Sequence, residues 1–104
     1  MTLEEFFRKE DAYVIHCHTE EEAIKLCNKF DEMGKHWAGG QSYRDITYWN
    51  DHDGGECYSN RRTHASYYFY RSDPVRWRVV EFNDIDDFKG GLFFPSNFQK
   101  RNSN

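Results

Sequence analysis

Several groups of residues have the types and spacing to do chemistry. His16-Cys17-His18 carries the side chains of a metal site or a nucleophilic centre. Alternation along an extended strand turns Cys17 away from both histidines, so these three cannot converge on one ion. A zinc site would need His16 and His18 to meet His36, His52, His64 or an acid, and no spacing imposes that. Cys57 follows Gly54-Gly55-Glu56, with Asp51 and His52 close in sequence, and is the cysteine expected to be most accessible. No nucleophile signature surrounds it. Residues 50–56, N-D-H-D-G-G-E, offer calcium-loop oxygens without the spacing or terminal bidentate Glu of an EF-hand, and Asp-Gly-Gly suits a hairpin turn. Gly39-Gly40 and Gly90-Gly91 lack the Lys-Ser/Thr of a phosphate loop. The expectation is no catalytic residue, no metal ligand and no cofactor.

A binding surface is better supported. Within residues 36–82 all six basic residues are arginine, and the same stretch holds all three Trp and six of the seven Tyr. Arginine and large amphipathic rings are enriched at binding surfaces. If strands near residues 56–62 and 75–82 are neighbours, Arg61, Arg62, Arg76 and Arg78 face one side with Trp49, Tyr58 and Tyr67 among them. Such a set suits phosphates with stacked bases, or an acidic protein surface. The competing reading is a solvated sheet face whose arginines pair with Asp73, Glu81 and Asp84.

Positioning these residues requires a small framework. Leu3, Phe6 and Phe7 predict a short helix capped by Thr2 with Glu5. Residues 12–18 read as a central strand, with Tyr13, Ile15 and Cys17 on one face and Val14, His16 and His18 on the other. T-E-E-E at residues 19–22 is a capping box. Ala23, Leu26, Cys27, Phe30 and Met33 then form one helical stripe that ends at Gly34. Glu20, Glu21 and Glu22 also complement that helix's dipole, so the acidic cluster has a structural role. Strands are expected near 35–38, 45–49, 56–59, 63–70 and 75–82, divided by glycine and proline turns. The fold class is α+β: a single small domain with an antiparallel sheet packed against one main helix, residues 19–34. Residues 83–104 are expected to be a C-terminal extension, with Leu92, Phe93, Phe94 and Phe98 as an aromatic patch.

The chain has 104 residues, enough for one hydrophobic core and too few for two. Aromatics reach 18%, too many for a disordered chain. The apolar runs are too short to span a bilayer, and the first residues lack the pattern of a signal peptide. Three cysteines without CxxC spacing fit a reducing compartment, so the cytoplasm of a host cell is the expected location. A net charge of −4 argues against non-specific DNA binding.

Y-V-I-H-C-H-T-E-E-E-A at 13–23, G-K-H-W-A-G-G at 34–40, T-Y-W at 47–49, E-C-Y at 56–58 and V-V-E-F at 79–82 form an ensemble. It resembles small proteins encoded by phages and prophages of Gram-positive bacteria. The resemblance covers residues 12–82 and implies a mobile-element accessory protein with an anti-defence role. The leading expectation is a non-enzymatic inhibitor, of anti-CRISPR type, that binds a host defence protein such as a Cas effector. The alternatives are a sponge that sequesters a cyclic-nucleotide defence signal and a metal-dependent enzyme using the histidines.

Overall fold

A computed structural model describes residues 1–49 and 54–89. Helix α1 spans Leu3–Arg8. Its capping box forms as expected: the Thr2 hydroxyl accepts from Glu5 N at 3.1 Å, and Glu5 Oε1 accepts from Thr2 N at 2.8 Å. Strand β1 is Ala12–Cys17, and helix α2 is Glu20–Glu32. Thr19 Oγ1 caps α2 at Glu22 N, but the Glu22 carboxylate accepts from His18 N, one residue before the cap. Gly34, at φ +79, ends the turn after α2 in the left-handed conformation that favours glycine.

Strands β2 (Glu56–Ser59) and β3 (His64–Ser66), helix α3 (Tyr67–Arg71) and strand β4 (Trp77–Glu81) complete the framework. The four strands lie in the order β3-β2-β1-β4, within an α+β domain. β1 pairs antiparallel with β2 but parallel with β4, so the sheet is mixed rather than wholly antiparallel. The cause is the connection. The β2–β3 turn reverses the chain, whereas α3 carries it across the sheet and returns it in the direction of β1.

The alternation expected along β1 decides what covers each face. Ile15 and Cys17 join Tyr58 and Val80 beneath Leu3, Phe6, Leu26 and Phe30 of α1 and α2. Val14 joins Cys57, Tyr70, Trp77 and Val79 on the α3 side. Both faces of β1 are therefore buried, as befits a strand paired on both edges.

Several expected strands are absent or shorter. Residues 35–38 contribute one isolated bridge, His36 to Ser42, and residues 45–49 are irregular. Aromatic packing organises this stretch instead: Trp37 Nε1 donates to Ile46 O at 2.8 Å, and buried Tyr43 lies 4.4 Å from the Trp37 ring and 4.9 Å from Phe30. The expected strand 63–70 stops at Ser66, whose hydroxyl caps α3 by accepting from Phe69 N. β4 starts two residues late because Asp73 O accepts from both Arg76 N and Trp77 N in a turn. Residues 83–89 belong to the domain rather than to an extension: Ile85 is fully buried, and Asp87 Oδ1 accepts from Leu3 N at 2.8 Å. The aromatic patch at residues 92–98 lies outside the described residues. Among the described residues no helix is long and apolar enough to cross a membrane.

Asn60 ties α1 to the sheet. Its Nδ2 donates to Phe6 O and Asp11 O, and its Oδ1 accepts from Tyr13 N at 3.2 Å. Asn60→Ala should cost about 2–4 kcal/mol, because several enclosed backbone groups lose their partner together. Guanidinium denaturation checks this, and a loss under about 1 kcal/mol would show that water replaces the amide.

Candidate functional site

The seven expected binding residues do not share a face, because β1 lies between β2 and β4. Tyr58 is fully buried, its hydroxyl donating to Thr47 O at 3.0 Å, and so cannot stack on a ligand. Trp49 packs against the main core. Tyr67 lies on the α3 side, stacked 4.1 Å from the His16 ring. Arg61 donates to Glu10 O, Arg78 pairs with Asp11 at 3.5 Å and Arg76 with Asp73 at 3.7 Å. These exposed pairs are screened and contribute little.

Arg62 is different. It sits in the β2–β3 turn at φ 64, a conformation costly for a residue with a side chain. Among the described residues no carboxylate forms an ion pair with Arg62 or Lys35. Arg62 borders two clefts. One, of about 380 Å³, is lined by Lys35, His36, Asn60, Gly34 and Phe7. The other, of about 290 Å³, is lined by Trp37, Tyr48, Thr63 and His64 among others. The Tyr48 and His64 rings stack at 4.8 Å and 11°, and His64 Nδ1 lies 2.7 Å from Glu56 Oε2. Tyr48, at φ 55, is the other non-glycine residue with positive φ among the described residues. Cations therefore adjoin aromatic rings, with Arg62 common to both clefts. Arg62 and His64 lie in and just after the β2–β3 turn in the sequence itself, whereas Lys35, Trp37 and Tyr48 reach it only through the irregular path of residues 35–49, which has no local sequence signal.

A second cluster lies on the α3 side. His16 and Glu81 are register partners in the parallel pair. His16 Nδ1 lies 3.0 and 3.1 Å from the two Glu81 carboxylate oxygens, and His18 Nε2 lies 2.6 Å from Oε1. The other ring nitrogen of His16 contacts Gly54 O. Burial alone would raise the Glu81 carboxyl, but hydrogen bonds and positive charge from His16 and His18 hold it below the usual glutamate range. The sequence offers Glu81 only as an arginine partner. Period-two alternation does put His16 and His18 on one face, whereas the parallel register that delivers Glu81 has no local sequence signal.

All three cysteines are buried and free. Cys17 and Cys27 are buried as expected, but Cys57 is fully buried too, against Val14 and Tyr70. Burial pushes the Cys27 and Cys57 thiols up to about 12 and Cys17 well above the ordinary range. Asp51, His52 and the start of the Asp-Gly-Gly loop lie outside the described residues. The chain matches no protein-family model, no curated protein and no solved structure.

Proposed function

We propose that this protein is a non-enzymatic binding protein that captures a phosphate-bearing nucleotide of the cyclic-nucleotide class at Arg62. One observation carries this reading: the two non-glycine residues held at positive φ, Arg62 and Tyr48, both line one groove. Backbone strain of that kind costs on the order of 1–3 kcal/mol, persists only where the surrounding structure over-determines it, and clusters at ligand clamps and active sites. Arg62, with Lys35 in the adjoining cleft, supplies the phosphate contact, and the half-buried Tyr48 and His64 rings supply stacking, worth about 1–3 kcal/mol per base. The phage-type resemblance gives such capture a purpose, removal of a nucleotide defence signal.

Calorimetry with a panel of cyclic mono- and dinucleotides tests this, with saturable binding and no turnover expected. Arg62→Gly should weaken binding about tenfold or more through loss of a charge-assisted contact. The same change should leave stability unchanged or raise it by up to about 1 kcal/mol, because glycine tolerates positive φ. Arg76→Ala with Arg78→Ala is the control and should alter neither. Binding that survives Arg62→Gly, or no binding across the panel, removes the reading.

A second reading keeps the inhibitor of a host defence protein. It is favoured by exposed Tyr68 (54%), Phe69 (59%) and Val75 (90%) in and after α3, in a stretch that also carries exposed Arg71 and Arg76. It requires a stable complex with a defence protein such as a Cas effector, lost on Phe69→Ala.

A further inference from the structure

The contacts of His16 fix where its proton lies. Gly54 O can only accept, so the ring nitrogen facing it, Nε2, carries hydrogen. In a neutral imidazole the Nδ1 lone pair then points at both oxygens of the Glu81 carboxylate. A lone pair facing a carboxylate at 3.0 Å requires a cation between them, either a proton or a metal ion. His18 Nε2 reaches the same carboxylate from the next residue on that face of the chain. All three ligand atoms lie within 4.8 Å of one another.

We propose that His16 Nδ1, His18 Nε2 and Glu81 bind a divalent first-row transition-metal ion. Two imidazoles and a carboxylate are borderline ligands suited to zinc, iron, cobalt or nickel, not to calcium. The buried ligand has the supporting contact such sites use, its outer N–H given to a backbone carbonyl. Tyr67, stacked 4.1 Å from the His16 ring at 13°, fixes the plane of that imidazole. Metal–ligand bonds of about 2.0–2.1 Å set tetrahedral edges of roughly 3.3 Å. The two imidazole–carboxylate separations of 2.6–3.1 Å need a small outward shift, and the two histidine nitrogens lie within 4.8 Å of each other. Exposed His18 and half-buried Glu81 can supply it, and they leave the remaining coordination positions to water. The site is independent of the Arg62 groove, which is lined by Trp37, Tyr48, Thr63 and His64 among others.

The experiment uses the full chain, stripped with chelator and titrated with Zn²⁺ by calorimetry. One ion per chain is expected, with a rise of several degrees in melting temperature. Co²⁺ should give visible ligand-field bands without thiolate charge transfer, because all three cysteines are buried elsewhere. His18→Ala and Glu81→Gln should each weaken Zn²⁺ binding at least tenfold. Both positions are substantially exposed, so these variants remain informative even if His16→Ala fails to fold. No stoichiometric Zn²⁺ binding would mean that the bridging cation is a proton and would overturn the proposal. Binding unchanged in both variants would place the ion elsewhere and would overturn it too.

Discussion

Gly55→Ala is expected to destroy the fold. Gly55 sits at φ +86, and a Cβ there would lie 2.2 Å from Cys17 O and 3.2 Å from His16 Nε2. The obstacle is backbone, so no rotamer change relieves it. Its own carbonyl also accepts from Tyr67 N, which ties the start of β2 to α3. Accommodating the methyl group means parting β2 from the end of β1, the central strand. The expected loss exceeds about 4 kcal/mol, most of the stability available to a small domain. Gly54→Ala is the comparison: it too has positive φ, +87, but its Cβ meets only the exposed Tyr68 ring at 3.2 Å. A loss of about 1–2 kcal/mol is expected there. Denaturation midpoints decide between these outcomes, and equal losses at the two glycines would contradict the close approach at Gly55.

Alkaline sensitivity is the second large effect. Three thiols are fully buried, and burial raises the pKa of each. In the unfolded chain they ionise near pH 8.5. Above that pH the unfolded state binds fewer protons than the folded state, so stability falls as pH rises. By pH 10 the loss is about 2 kcal/mol per thiol, or roughly 6 kcal/mol for three. The decline continues until the folded thiols ionise, about pH 12 for Cys27 and Cys57. Buried Tyr43, Tyr58 and Tyr70, also raised by burial, add to it above pH 10. Guanidinium midpoints at pH 7, 8, 9 and 10 should fall steeply over the last two steps, and Cys27→Ala should make the fall shallower. A flat profile from pH 8 to 10 would mean that the thiols ionise freely in the native protein.

Local signals carried much of this fold. The Thr2–Glu5 and Thr19–Glu22 spacings mark the starts of α1 and α2, and alternation over residues 13–17 assigns those β1 side chains to their observed faces. What failed was non-local. Nothing in residues 63–82 says that α3 crosses the sheet, and with that crossing unread β4 falls on the wrong side, Arg76 and Arg78 seem to join Arg61 and Arg62, and Glu81 stays apart from His16. Trp37 and Tyr48 fall within the strands expected at 35–38 and 45–49, which the structure replaces with one bridge and irregular chain. Packing among the rings organises this stretch instead: Trp37 and Tyr43 are buried against each other and against Phe30. Tyr58 was misread for a related reason: an amphipathic ring suits a surface, but its one hydroxyl is satisfied by Thr47 O and the ring can be buried.

The groove at Arg62 is tested most directly by two-dimensional amide NMR during titration with a cyclic dinucleotide. Shifts are predicted in residues 34–41, at Tyr48 and in residues 60–64, saturating together and abolished by Arg62→Gly. Shifts clustered on residues 67–76 instead, or none at millimolar ligand, would contradict nucleotide capture at this site.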